Sequence, residues 1–63
     1  MPFRLDKNGD SIRLFNMTKK KYANKNFLTE QGAINFAKNA IRFREKKDSK
    51  VSKKDGKIFI LPK

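Results

Sequence analysis

The stretch FRLDKNGDSIRLFNM, residues 3–17, predicts a β-hairpin from which the rest of the fold can be worked out. Its Asn8-Gly9 dipeptide is a strong signal for a tight turn, because a type I′ turn needs positive φ at both central residues. On each side of this dipeptide, apolar and polar residues alternate as they do in strands with one buried face. The hairpin is therefore expected to bury one face and expose the other.

A two-residue loop at Asn8-Gly9 would determine which residues pair across the hairpin. In that register the apolar side chains share the face expected to be buried, and they are Phe3, Leu5, Ile12 and Leu14. The opposite face carries Arg4, Arg13 and Phe15, with the two arginines directly opposed. Because opposed like charges destabilise a sheet, this pair favours a face that meets solvent or an anion.

Residues 29–46 predict the one long helix of the chain. Thr29 is the expected N-cap, and Leu28 is expected to pack on Ala33 as a hydrophobic staple. The residues predicted to form the buried helix face are Ala33, Ile34, Ala37, Ala40 and Ile41, widened on one flank by Phe36 and Phe43. The aromatic residues expected to fill the core are Phe3, Phe27 and Phe36, with Phe59 or Phe43.

Two segments flank this helix. Residues 18–26 follow neither strand nor helix periodicity and are expected to form a basic loop, with a short extension of the second strand as the alternative. Residues 49–61 contain a second turn dipeptide, Asp55-Gly56, and predict a C-terminal hairpin or a single final strand. In a two-residue register, that hairpin pairs Val51 with Ile60 and Lys53 with Ile58.

The order of these elements, ββ-α-(β)β, predicts an α+β fold. We expect a single two-layer domain over residues 1–63, in which one helix packs across one face of a three- to four-stranded antiparallel sheet. A domain of this size buries a small core and is marginally stable.

Composition excludes most enzymatic chemistry. The chain has no Cys and no His, so zinc fingers, thiol chemistry and the commonest general base are absent. No grouping of nucleophile and base and no Gly-rich phosphate loop is present. Residues 6–10 resemble the start of a calcium loop, but Ser11 and Met17 stand where the loop needs Gly and Glu. We therefore predict a protein that is not an enzyme and that has no metal or cofactor.

The sequence also argues against a membrane protein. No apolar run is long enough to span a bilayer, and the N-terminal residues lack the apolar region of a signal peptide. The absence of cysteine is consistent with a reducing compartment. We therefore expect a cytoplasmic protein, in the host cytoplasm if a phage encodes it. The oligomeric state is left open.

The strongest functional signal is positive charge. Lys and Arg number 17 against 6 acidic residues, which gives a net charge of +11. The excess is concentrated in residues 18–25 and 42–57, and it predicts binding to nucleic acid through phosphates. The predicted nucleic-acid-binding residues are Lys19, Lys20, Lys21, Lys25, Arg42, Arg44, Lys46, Lys47, Lys50, Lys53 and Lys54, with Arg4 and Arg13 extending the surface across the first hairpin.

Two aromatic residues are interleaved with these lysines and arginines. Phe15 shares the outer hairpin face with the arginines, and Tyr22 follows three lysines, so both are candidates for stacking on unpaired bases. Lysine outnumbers arginine, 13 to 4, which favours diffuse attraction to phosphates and weak sequence specificity. Duplex DNA, single strands and RNA all stay open as ligands.

Two other interpretations of the basic surface are retained. The first is a protein-interaction module that docks on an acidic surface of a larger host protein, with Phe15 and Met17, or Phe36 and Phe43, as apolar anchors. The second is a surface whose lysines serve only solubility.

The C-terminal half resembles small bacterial and phage domains of unknown function in its pattern. That pattern is Thr29-x3-Ala33-Ile34-x2-Ala37, followed by Lys54-Asp55-Gly56-Lys57-Ile58. The small size and the bias toward Asn, Lys, Ile and Phe are similar to those of phage accessory proteins. The resemblance implies a phage-type accessory or regulatory protein.

Overall fold

The computed structural model describes all 63 residues and contains five strands and one helix. In chain order they are β1 (Phe3–Asn8), β2 (Ser11–Asn16), β3 (Lys21–Phe27), α1 (Glu30–Glu45), β4 (Ser49–Lys54) and β5 (Lys57–Pro62). The strands form one antiparallel sheet in the order β3-β2-β1-β5-β4, and α1 packs on one face. The predicted α+β class is confirmed, but the sheet has five strands where three to four were predicted.

The first hairpin forms with a different register from the predicted one. Its turn centres on Gly9 and Asp10, so that Asn8 pairs with Ser11 and every pair shifts by two residues. Gly9 has a φ of 64° whereas Asp10 is not in the positive region, which is the pattern of a type II′ turn. Because the shift is even, the predicted core face is preserved.

The shift removes the predicted opposition of two arginines. Arg4 lies opposite Phe15, and Arg13 lies opposite Asp6. The second pair is of opposite charge and stabilises the sheet, whereas the two facing arginines of the predicted register would destabilise it.

The basic segment predicted as a loop is largely strand β3. Asn16 pairs with Lys21, Phe15 with Tyr22 and Ile12 with Phe27. Between these pairs β3 contains two residues more than β2, which forms a bulge opposite Leu14. Lysine and asparagine have low strand propensity, but pairing with β2 and burial of Phe27 override it.

Helix α1 begins and ends with residues in capping geometry. The Oγ1 of Thr29 accepts a hydrogen bond from the Gly32 amide at 3.1 Å, as expected for the N-cap. At the other end, Lys46 adopts a left-handed conformation with φ 55°, and its amide donates to the Arg42 carbonyl. The predicted staple is wrong: Leu28 is 89% exposed, so it does not pack on the helix.

The C-terminal segment forms a hairpin with the predicted register. Val51 pairs with Ile60 and Lys53 with Ile58. Asp55 and Gly56 both have positive φ, as a type I′ turn requires. Strand β5 also pairs with β1, which places the C-terminal hairpin beside the first one.

The core lies between α1 and the sheet. Its buried residues are Phe3, Leu5, Ile12, Leu14, Phe27, Ala33, Ala37, Ile41 and Ile60. The alanines let the helix approach the strands closely. Of the aromatic residues predicted for the core, Phe43 is 84% exposed and Phe36 is 38% exposed, while Phe59 lies on the other face of the sheet. The helix has neither the length nor the apolar character that crossing a membrane requires.

Candidate nucleic-acid interface

The sheet face opposite α1 carries the candidate site. We call it the outer face. Side chains alternate along each strand, so residues paired with one another point to the same side. Arg4 pairs with Phe15 on one neighbour and with Phe59 on the other. Phe15 in turn pairs with Tyr22, and Phe59 with Ser52. The result is one row across all five strands, here called the aromatic row: Tyr22, Phe15, Arg4, Phe59 and Ser52.

Arg4 lies at the centre of this row and is held from two directions. Its Nε and Nη2 donate to Asp6 Oδ1 and Oδ2 at 2.9 and 3.1 Å, a bidentate pair. Its guanidinium carbon lies 4.7 Å from the ring centre of Phe15, within cation–π range. The guanidinium is therefore fixed in position above the sheet.

Tyr22 and Arg13 repeat the arrangement one strand further out. The Arg13 guanidinium lies 4.3 Å from the ring centre of Tyr22, and the Tyr22 hydroxyl donates to Asp6 Oδ2. The Phe15 and Tyr22 rings meet edge to face at 5.1 Å. Arg13 Nε is buried and has no hydrogen-bond partner.

Asp6 is the acidic hub of this cluster. The hydrogen bond from Arg4 holds the pKa of Asp6 below its ordinary value, and the hydrogen bond from Tyr22 and the charge of Lys57 act in the same direction. The same pair raises the pKa of Arg4. Asp6 is also the only acidic residue in any of the five strands. The outer face therefore carries one carboxylate among several cations.

Lysines extend the cationic character toward the β4 edge. By the register of the second hairpin, Lys50, Lys54 and Lys57 point to the same side as Phe59 or Ser52. All three are exposed. Five strands spaced about 4.8 Å apart give a platform about 19 Å wide. Tyr22 and Phe15 lie toward the β3 edge, whereas Phe59 lies on β5 among the lysines of the β4 edge.

The structure does not bring the predicted binding residues onto one surface. The outer face holds Arg4, Arg13, Phe15, Tyr22, Lys50 and Lys54. The others lie elsewhere: Lys19 and Lys20 in the β2–β3 turn, Lys21, Lys25 and Lys53 on the helix side of the sheet, Arg42 and Arg44 at the end of α1, and Lys46 and Lys47 just beyond it.

Sequence reasoning missed four outer-face residues: Asp6, Ser52, Lys57 and Phe59. Phe59 was assigned to the core as an alternative to Phe43, because β5 reads as a nearly continuous apolar run. The alternation of Ile58 and Ile60 with Phe59 contained the signal, since Ile60 is fully buried. It could be used only after the pairing of β5 with β1 was known.

A second cationic region lies on the helix side, between α1 and the start of β4. This polar cleft has a volume of about 510 Å³, and no hydrophobic residue lines it. Its lining residues are Asn35, Lys38, Asn39, Arg42, Lys47, Asp48, Ser49 and Lys63. Asp48 pairs with Arg42 at 3.2 Å, which neutralises one of the cations. The cleft can attract phosphate, but it offers no ring for a base.

The two apolar pairs predicted as anchors for protein docking lie on different surfaces. Phe15 is half-buried within the aromatic row, and Met17 is 37% exposed. Phe36 lines a groove of about 350 Å³ that we call the apolar groove, and helical spacing puts Phe43 on the same flank of α1, outside the groove lining. Its apolar lining residues are Met1, Phe3, Ala23, Phe36 and Ala40, and its polar ones are Asn16, Lys19, Asn24 and Arg44.

No three residues among His, Cys, Asp and Glu lie close enough to hold a metal ion together.

Comparison with protein-family models, with curated proteins and with solved structures finds no match to this chain.

Proposed function

We propose that this protein is a small, non-enzymatic nucleic-acid-binding domain that contacts its ligand with the outer face of its sheet. The observation that supports the proposal is the aromatic row on a face that no other part of the chain covers. Of the three rings in the row, Tyr22 is 39% exposed, and Phe15 and Phe59 are half-buried. Here the row is flanked by cations, so the partner is expected to be anionic and to present flat, apolar groups.

Nucleic acid with unpaired bases has both properties. Bases can stack on aromatic rings or on guanidinium planes, and their phosphates attract lysines. Arg4 and Arg13 are already laid against Phe15 and Tyr22, so they offer preformed stacking planes. A duplex hides its base faces, which is why we expect single strands to bind more tightly than duplexes.

Sequence specificity should be weak. Lysines supply point charges without the fork geometry that reads base edges, and the bidentate donors of Arg4 are occupied by Asp6. The phage-type accessory or regulatory role and the cytoplasmic location stay predictions from the sequence.

A fluorescence anisotropy titration tests the proposal. The full chain is titrated into random-sequence single-stranded DNA, single-stranded RNA and duplex DNA over a series of salt concentrations. We expect the single strands to bind most tightly, with affinity falling as salt rises by about 0.7 log units per log unit for each phosphate engaged. Equal and weak binding to all three ligands, abolished at physiological salt, would contradict the proposal.

Paired variants test the location of the interface. Tyr22→Ala should lose about 1–3 kcal/mol of binding free energy if a base stacks there. Tyr22→Phe keeps the ring and should bind almost as well as the wild type. Phe43→Ala removes an exposed aromatic from α1, on the other side of the sheet, and should leave nucleic-acid affinity unchanged.

Two lysine substitutions, one on each side of the sheet, test which side contacts the phosphates. Lys54→Ala on the outer face should reduce the salt slope by about 0.7, one phosphate contact. Lys38→Ala in the polar cleft should leave that slope unchanged. The reverse result would move the interface to the helix side and overturn the outer-face assignment.

A further inference from the structure

The apolar groove beside α1 is not used by the proposed nucleic-acid interface. It lies on the helix side, between the β3 edge of the sheet and the flank of α1 that carries Phe36, Ala40 and Phe43. The three helix residues follow one another at spacings of four and three, so they form one stripe. Phe43 is 84% exposed, and Phe36 is 38% exposed. Large exposed aromatics next to an apolar concavity are typical of protein docking sites.

The charges around the groove are positive. Lys19 and Arg44 line it, and the Lys25 ammonium lies 5.6 Å from the Phe36 ring centre. The nearby Glu45 is already paired with the amino group of Met1. An apolar ligand that enters this groove therefore passes between unpaired cations, which favours a ligand with negative charge.

The adjacent sheet edge is also open. Strand β3 is the terminal strand of the sheet, so one of its edges has no backbone partner. An unpaired edge can bind an additional polypeptide strand. A second copy of this chain is a poor candidate, because pairing two β3 strands would bring together the lysines of both copies, at positions 19–21 and 25.

We infer that the apolar groove docks an acidic segment of a different protein. The segment would place an aromatic or aliphatic side chain against Phe36 and Phe43, and its carboxylates beside Lys19 and Arg44. The inference does not rest on the nucleic-acid proposal, because the two surfaces lie on opposite sides of the sheet.

Selection from a display library of random peptides against the immobilised full chain provides the probe. We expect the enriched peptides to be acidic and to share a large apolar residue. The best peptide is then synthesised and titrated into the wild type and its variants. Enrichment of no sequence, or of sequences without acidic residues, would overturn the inference.

Two single substitutions identify the docking surface. Phe43→Ala should weaken the selected peptide by about tenfold or more, as loss of an aromatic contact at the rim of the groove does. Tyr22→Ala on the outer face should leave peptide affinity unchanged. Because Phe43 is exposed, its loss should not change the thermal midpoint, which excludes unfolding as the cause. Peptide affinity that is insensitive to Phe43→Ala would overturn the groove assignment.

A competition experiment separates the two proposals. Single-stranded RNA should not displace the peptide if the two ligands use opposite faces. Displacement of the peptide by RNA would show that the groove binds nucleic acid, and it would overturn the protein-partner inference.

Discussion

At the scale of single residues, Asp6 shows how one carboxylate can organise a basic surface. It accepts hydrogen bonds from Nε and Nη2 of Arg4 and from the hydroxyl of Tyr22, so it links side chains of β1 and β3. Without it, Arg4 and Arg13 would repel each other across the sheet. The carboxylate thus keeps the guanidinium groups in place while neutralising only part of their charge.

Asp6→Asn tests this role through the pH dependence of stability. The pKa of Asp6 is lowered in the folded state, so its contribution is present above the unfolded value of about 3.9 and is lost as pH falls through the folded value. The difference in free energy of unfolding between wild type and Asp6→Asn should therefore be constant near neutrality and shrink in acid.

Chemical denaturation over a pH series measures this difference. The pKa of Glu30 is also lowered, mainly by its hydrogen bond with Lys7. Because Glu30 is present in both proteins, its contribution to the pH dependence of stability cancels. A difference that stays constant into strong acid would show that the Asp6 carboxylate does not stabilise the fold.

The N-cap gives a second prediction at this scale. Thr29→Ala removes the acceptor of the Gly32 amide and should lower the free energy of unfolding by about 1 kcal/mol. Thr29→Ser keeps a hydroxyl acceptor and should lose far less. Urea denaturation of the two variants checks the comparison, and equal losses would argue against the cap hydrogen bond.

At the scale of elements, the end of α1 contains conformational strain. Lys46 adopts φ 55°, a left-handed conformation that residues with a Cβ adopt at a cost. Glycine at this position avoids that cost. We therefore predict that Lys46→Gly raises the free energy of unfolding by about 1 kcal/mol, although it loses a residue of the basic set.

Lys47→Gly is the matched control for this substitution. It removes the same charge one residue later, where φ is not positive, so it should give no gain. Thermal denaturation of both variants distinguishes conformational strain from charge repulsion. A similar gain in the two variants would assign the effect to charge.

The elements also show how far the sequence predicts this fold. The turn dipeptides, the Thr29 cap and the alternation around Leu5 and Leu14 are local signals, and they placed two hairpins, the helix and most of the core. The register of the first hairpin was off by two residues, because the Asn-Gly signal does not choose between turn types that start one residue apart. The aromatic row was only half predictable, since Phe59 joins it through pairing of strands distant in sequence.

Strand β3 was missed for a related reason. Its sequence, KYANKNF, contains lysines and asparagines that favour a loop. Its pairing comes from β2 and from the anchoring of Phe27 in the core, and neither is visible in a local window.

At the scale of the whole molecule, the net charge of +11 opposes compaction. The ion pairs Lys7–Glu30, Arg4–Asp6 and Arg42–Asp48, with the Met1 amino group and Glu45, offset only part of it. Fourteen of the 17 lysine and arginine side chains are in none of these pairs. An anionic ligand that covers either surface would therefore also stabilise the fold.

Salt should act on stability in the same direction. Raising NaCl from about 0.01 M to about 0.15 M shortens the Debye length from about 30 Å to about 8 Å, which screens the repulsion. We therefore expect the thermal midpoint to rise over this range. A double variant with Lys20→Gln and Lys47→Gln has less repulsion to screen and should respond less. A midpoint that falls with salt would mean that the ion pairs outweigh the repulsion.

The bulge in β3 has a consequence for how this chain can change over evolution. Between the pairs Phe15–Tyr22 and Ile12–Phe27, β3 has two residues more than β2, so Tyr22 and Phe27 keep their opposite faces on either side of the bulge. Loss of one residue between them would turn one end of the strand over, burying tyrosine or exposing phenylalanine. Loss of two would leave both faces intact. Insertions and deletions in this strand should therefore change its length by two residues at a time.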